Sequence, residues 1–278
     1  MQIFTMFIDW FVELLTFVNN FVGNNLGLAI IVVTLLIKVC LIAFSYKSIK
    51  NAEKMRAMQS ELQGLRKKHG DDKKAMQEAQ LELYKKYNLN PLAGCIPQII
   101  QLALLLLFFQ ALMRFVDIPD INSYFFGLDL TCSRSDMAAY LSGNAEDGVY
   151  CVGVQQVWPY FIIPVVAMLV QFVFSLMVLP GGEVRDIVPN NSKKKSIQLA
   201  NKKEEDVASM AGTMQKQMMF MMPIMSGFIA LTLPQGVGLY WVVSTIFGII
   251  QQFLISGPGG LKIYYERLKL KFSANKAA

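Results

Sequence analysis

Five apolar runs, at residues 26–44, 96–115, 157–179, 218–233 and 237–255, constrain this chain more than any other feature of it. A helix crosses the hydrocarbon layer with roughly 17–25 apolar residues, and a spanning segment must satisfy its backbone polar groups internally. A spanning helix is therefore expected at each run. The fourth run is short and reaches the fifth only through Pro234, Gln235 and Gly236, so the last two are expected to form an antiparallel hairpin. Composition points the same way: 54% of the 278 residues are hydrophobic and only 17% charged, against about 25% charged in a typical soluble domain. The fold class expected is an all-α polytopic membrane protein with a five-transmembrane-helix core.

Charge orients those helices. Residues 45–90 hold eleven Lys/Arg, residues 180–217 hold seven, and the tail after residue 255 holds five. Residues 116–156 hold one, Arg134, against six Asp/Glu. Positive loops stay in the cytoplasm, so the N-terminus is expected outside and the C-terminus inside. The net charge of +6 is mostly topogenic on this view, with attraction to anionic lipid. A phosphate-rich partner such as a ribosome is the sharper alternative.

Three segments lie outside the spans. At the N-terminus, Asp9, Glu13, Thr16 and Asn20 recur at helical spacing on an aromatic-rich body. That pattern suits an outer interfacial amphipathic helix, since two acids inside a sixth span would be costly. In residues 46–90, Met55, Met58, Leu62 and Leu65 make one apolar seam, and Met76, Ala79, Leu83 and Tyr87 a second. The intervening His69-Gly-Asp-Asp is a turn signal, so a cytoplasmic helical hairpin of coiled-coil type is expected. His69, the single histidine, is a solvated turn residue on this reading. Residues 180–217 are turn-rich and highly charged, as in partly disordered loops. They lead into a stripe of Met210, Met214, Met218, Met221, Met222 and Met225, which could serve core, lipid or adaptable client packing.

Nothing in the chain resembles a catalytic or metal site. No His, Asp or Glu falls inside the five runs, and neither a serine elbow nor a phosphate-binding glycine loop occurs. No catalytic residue, metal or cofactor is implied. Cys132 and Cys151 share the outward segment, where oxidation is permitted; a bridge between them and two free thiols are both open. Cys40 and Cys95 sit in or beside spans as small hydrophobes.

The spans do contain polar groups, which are expensive in hydrocarbon without partners. Lys38 and Thr34 are four residues apart on the first, Gln98 and Gln101 open the second, and Gln171 lies deep in the third. Tyr240, Trp241, Gln251 and Gln252 belong to the fifth. Lys38 lies about seven residues, hence about 10 Å, from the cytoplasmic end of its helix. Its stem could snorkel part of that distance, while a charge left at mid-bilayer costs roughly 2.5–3.5 kcal/mol. Snorkelling is one reading; a shared hydrated cavity, favoured by the polar groups on the other spans, is the second.

The motifs decide the matter by resemblance. Asn24-Asn-Leu-Gly-Leu-Ala-Ile-Ile with Thr34-Leu-Leu-Ile-Lys38, Leu83-Tyr84, and Asn90-Pro-Leu-Ala-Gly-Cys-Ile-Pro97 with Gln101 resemble the YidC-type membrane protein insertases (the YidC/Oxa/Alb family). So do Met222-Pro-Ile-Met225, Leu233-Pro-Gln-Gly236, and Leu239-Tyr-Trp241 with Gln251-Gln252, all in family order across residues 20–256. The resemblance implies five core helices around a hydrophilic groove open to cytoplasm and lipid but closed outside. It places Lys38 at the groove's basic position, with Thr34 one turn away and Gln101, Gln171, Tyr240, Trp241 and Gln251 as neighbours. Lysine stands where arginine is usual, keeping the charge without the planar donor fork. Ala103 stands near where a second proline is usual, and Ser244-Thr245 where Asn often follows. The large outer domain of some members is missing.

The domain organisation expected is an interfacial helix at 1–23, spans at 24–45, 91–115, 157–179, 218–233 and 237–255, a cytoplasmic hairpin at 46–90, an outer loop at 116–156, a cytoplasmic loop at 180–217 and a basic tail at 256–278. The function implied is a non-enzymatic insertase and chaperone of a bacterial inner membrane, receiving nascent membrane proteins, with the ribosome and Sec translocon as further partners and no nucleic-acid sequence read. The alternative is a small transporter or channel using Lys38 as an anion site, which would call for a repeat with broken helices; none is visible.

Overall fold

The structure is a computed structural model that describes residues 2–58, 61, 64–65, 73–87, 96–115, 122–133, 158–178 and 221–261. Cys151, His69, the loop at 180–217 and the tail beyond residue 261 fall outside that set. The chain divides into two compact units, the first made of Met1–Ser45, Pro97–Phe174 and Met222–Ile250, and the second of Tyr46–Ile96, Ser175–Met221 and Gln251–Ala278.

Helices dominate the first unit. α1 (Gln2–Phe21) turns into α2 (Leu26–Cys40) through a bend of 120°. Gly23 and Asn24 make that turn at φ of 82° and 57°, the left-handed region that Gly and Asn tolerate best. Asn25 then caps α2, its side chain accepting the Leu28 N–H at 3.0 Å. α2 ends at Cys40, one residue before α3 (Ile42–Ala57) begins. The expected span at 26–44 therefore crosses two helical segments. The ladder itself continues, because Leu41 N–H reaches Ile37 O at 3.0 Å and Ser45 N–H reaches Leu41 O at 2.9 Å.

After α4 (Lys73–Lys86), which belongs to the second unit, α5 runs Ile96–Phe115. A two-stranded antiparallel hairpin follows, β1 (Tyr124–Phe125) paired with β2 (Leu128–Asp129). Its turn residues Phe126 and Gly127 both have positive φ, 50° and 78°, as tight two-residue hairpins require. A short 3-10 turn, Trp158–Phe161, leads into α6 (Ile162–Val178). α7 (Met221–Thr232) and α8 (Gln235–Ser256) close the described chain. The link between them is two residues, shorter than the sequence suggested. Pro234 stops one helix, while Gln235 and Gly236 already belong to the next, a boundary apolarity alone does not mark.

The core explains the arrangement. Phe11, Leu15, Leu26, Ile30, Val33, Phe108, Leu112, Val237 and Tyr240 form one buried cluster drawn from α1, α2, α5 and α8. Outward, the same helices expose apolar stripes at helical spacing: Ile162, Val165, Leu169 and Val173 on α6, and Met221, Ile224, Met225 and Phe228 on α7. Contiguous apolar exposure of this kind belongs against lipid. Among the described residues, Trp158–Val178 and Gln235–Ser256 are long and apolar enough to cross a membrane, rising to three spans if the bent α1–α2 pair counts as one; Ile99–Phe115 and Met221–Thr232 are shorter apolar helices. The protein is thus helical and multi-pass.

In the second unit, Met58 and Leu83 are buried with Leu65, Tyr84 and Tyr87 packed around them. Glu61 accepts from Lys86 at 3.2 Å and from the Tyr87 hydroxyl. Those bonds, the tyrosine's first and the lysine's second, hold the Glu61 carboxyl below its ordinary range.

Candidate functional site

Three helices of the first unit bring their polar residues to one point. α2 carries Thr34 and Lys38, α5 carries Gln101, and α8 carries Tyr240, Trp241 and Ser244. The Lys38 ammonium donates to Gln101 Oε1 at 2.9 Å, and the Ser244 hydroxyl donates to the same oxygen at 3.0 Å. The other end of the amide, Gln101 Nε2, donates to the Tyr240 hydroxyl at 3.0 Å. One glutamine thus satisfies two donors and one acceptor from two other helices, using both lone pairs of its carbonyl.

Aromatic packing fixes the far side. Phe108 stacks on Tyr240 with ring centroids 4.2 Å apart, and Phe11 meets Phe108 edge-on at 4.8 Å. Such pairs contribute about 0.5–1.5 kcal/mol each beyond area burial. Tyr240, Ser244 and Thr34 are each 1% exposed, whereas Lys38 and Gln101 are half-buried. The charge therefore sits at the open edge of a rigid polar cluster. Among the described residues no carboxylate pairs with Lys38. An ammonium held only by a neutral amide keeps most of its attraction for an incoming anion.

The other predicted positions fall differently. Thr34 donates its hydroxyl to Ile30 O at 2.6 Å, within its own helix. Trp241 is half-buried against the core, and its carbonyl accepts from the Thr245 hydroxyl at 2.8 Å. Gln171 is buried on α6, and among the described residues no hydrogen bond joins it to the Lys38 cluster. Gln251 belongs to the second unit, where it is 9% exposed with Nε2 unpaired. Cys132 is disulfide-bonded, and Cys40 is free. Ser244 was not foreseen as a site residue. Its position one turn beyond Tyr240 is the signal that finds it, because i and i+4 share a helix face. Among the described residues no cluster of three or more metal-ligating side chains occurs.

A polytopic helical protein with a cationic polar cluster set among apolar helices defines a class: a multi-pass membrane protein that keeps a charged polar cluster among its apolar helices. Comparison with known proteins then specifies it. The family model described as 60Kd inner membrane protein matches residues 17–259. Membrane protein insertase YidC 2 of Bacillus anthracis is 31% identical over 250 residues, covering 88% of this chain and 78% of that protein. Membrane protein insertase MisCA of Bacillus subtilis (strain 168) is 31% identical over 250 residues, covering 88% and 76%. Membrane protein insertase YidC of Nitratidesulfovibrio vulgaris is 32% identical over 245 residues, covering 87% of this chain and 36% of that longer protein. The chain belongs to this family, the YidC-type inner membrane proteins.

Proposed function

We propose that the protein is a non-enzymatic membrane insertase whose client-binding groove is organised by Lys38. The observation that carries this reading is the Lys38–Gln101–Tyr240–Ser244 network, a cation tied to neutral groups with no carboxylate partner among the described residues. A client's polar, often acidic, outward tail enters from the cytoplasm and exchanges water for this cluster. Its apolar segment slides along the third and fifth spans into lipid. A fully buried ion pair would trap the client, because both charges would be desolvated. A half-buried ammonium that keeps some access to water gives a weaker, hydrated contact that permits release.

Around this centre the proposal sets five spans at 24–45, 91–115, 157–179, 218–233 and 237–255, with Thr34, Gln171, Trp241 and Gln251 lining the groove beside the network. α1 lies in the outer interface, and Cys132 pairs with Cys151 in the outer loop. The hairpin at 46–90 and the basic tail at 256–278 face the cytoplasm, where they meet nascent membrane proteins, the ribosome and the Sec translocon. The membrane is a bacterial inner membrane. The basic loops support this orientation.

Insertion of matched single-span clients into reconstituted vesicles tests the charge role. Lys38→Ala should slow an acidic-tailed client about tenfold more than a neutral-tailed one, the scale of one charge-assisted hydrogen bond. Lys38→Arg should retain insertion of both. Equal slowing of the two clients by Lys38→Ala would sink the charge role, and solute flux in client-free vesicles would favour a transporter instead.

A further inference from the structure

The cap over the start of α8 contains a polar group that nothing above uses. Residues 128–133 lie against that helix terminus: Cys132 O accepts the Gln235 N–H at 3.0 Å and Leu130 O accepts the Gly236 N–H at 2.7 Å. Those two carbonyls already satisfy the first backbone donors of the helix, so the Gln235 side chain is not needed as a cap. Yet its amide is 0% exposed, and neither Nε2 nor Oε1 has a hydrogen-bond partner among the described residues. Leaving a buried polar group unpaired costs about 1–3 kcal/mol, which an apolar side chain of the same shape would avoid.

We propose that Gln235 is a second hydrogen-bonding station for the translocating client tail, on the outer side of the Tyr240 network. The proposal rests on the insertase reading above. Gln235 precedes Tyr240 by five residues, hence by about 7.5 Å along the helix at 1.5 Å per residue. Five residues also rotate the side chain by about 140° around the helix, so a tail leaving Gln101 and Tyr240 reaches the buried amide only where residues 128–133 give way. The amide both donates and accepts, which matches a peptide group. The cap also disfavours a resting carboxylate, because Asp129 is buried there with Oδ1 taking both the N–H (3.0 Å) and the hydroxyl (2.6 Å) of Thr131. The ligand class is thus neutral, hydrophilic peptide, with acidic groups held only at Lys38.

The test uses the full chain in vesicles and two clients with the same apolar segment, one carrying a long neutral hydrophilic outward tail and one without it. Gln235→Met should lower the ratio of tailed to tail-less insertion rates about threefold to tenfold, the scale of one lost hydrogen bond. An unchanged ratio overturns the proposal, as does equal slowing of both clients with a lower melting temperature; the amide would then hold structural water only. If the methionine variant fails to fold, Gln235→Asn carries the same comparison, since it keeps the amide one methylene shorter. There too a tail-selective slowing supports the station and a shared slowing overturns it. Lys38→Ala assayed in parallel on an acidic-tailed client separates the two claims. A Lys38 effect without a Gln235 effect removes the station alone, whereas no Lys38 effect removes the groove reading beneath it.

Discussion

Gln101 holds more of the site together than Lys38 does. Its amide contacts Lys38, Tyr240 and Ser244 across sequence separations of 63, 139 and 143 residues. Replacing it with leucine leaves three polar groups without that partner, each costing about 1–3 kcal/mol where burial is complete. Gln101→Leu should therefore lower the melting temperature in detergent more than Tyr240→Phe does. The two changes should also be strongly non-additive, because the second removes a hydroxyl the first has already orphaned. Additive shifts in a double-mutant cycle would mean that the amide does not link the helices. Sequence reasoning singles out Lys38, Gln101 and Tyr240, because an amide, ammonium or phenol in an apolar run is conspicuous by its cost. It could not name the hub. Which group joins which depends on the rotation and depth of separate helices, and no periodicity within one helix encodes that.

At the scale of elements, the β1–β2 hairpin is the part least legible in the sequence. Each strand has only two residues, too short for an alternation signal. It nonetheless seats closely: Leu26 N–H reaches Asn122 O at 3.2 Å, and a Cβ built on Gly27 would stand 2.2 Å from Phe125 Cγ. Gly27→Ala should displace that ring and destabilise the first unit by about 1–3 kcal/mol, the usual scale of overpacking; an unchanged thermal midpoint would show that the hairpin yields freely. The helices were legible because apolar runs of their length have few alternatives. Their ends were not, as the break at Leu41 and the early start at Gln235 show. In the second unit the apolar seams brought Met58, Leu65, Leu83 and Tyr87 into one cluster, but the Glu61 contacts lay hidden in a charge run. Because the Glu61 carboxyl titrates below its ordinary 4.5, the contact adds stability above that value and loses it as pH falls through the lowered one. Protection factors of the amides in Lys73–Lys86 should accordingly fall as pH drops below 4.5 and stay flat near neutrality. Glu61→Gln should remove the acid-dependent part, and persistence of that part would assign it to other carboxylates.

For the whole molecule, charge and apolarity carry separate information. Apolar stripes on α6 and α7 say that these helices face lipid, but they are indifferent to which end points outward. The asymmetry between eleven and seven cations in two loops and a single arginine in residues 116–156 is what the proposed direction rests on. It acts during insertion, when moving a cationic loop across the bilayer is disfavoured. The folded helices keep no further record of it, so orientation is testable only in a membrane. Single cysteines at Ser192 and Ser142, in a background with Cys40 and Cys95 changed to alanine, make the comparison direct. Cys132 is already disulfide-bonded, and on its proposed pairing with Cys151 neither competes for a thiol reagent. A membrane-impermeant maleimide added to intact cells stripped of their outer layers should label Ser142→Cys and leave Ser192→Cys untouched until the membrane is opened. Labelling of Ser192→Cys in sealed cells would invert the topology, and with it the side from which a client could reach Lys38. Labelling of both would place the loops in a chain with an even number of spans between them, which the run at 157–179 forbids if it crosses once. The outcome thus decides whether the cation stands at the entry side of the proposed groove, where an acidic tail would meet it first, or at the exit, where it would hold the tail back.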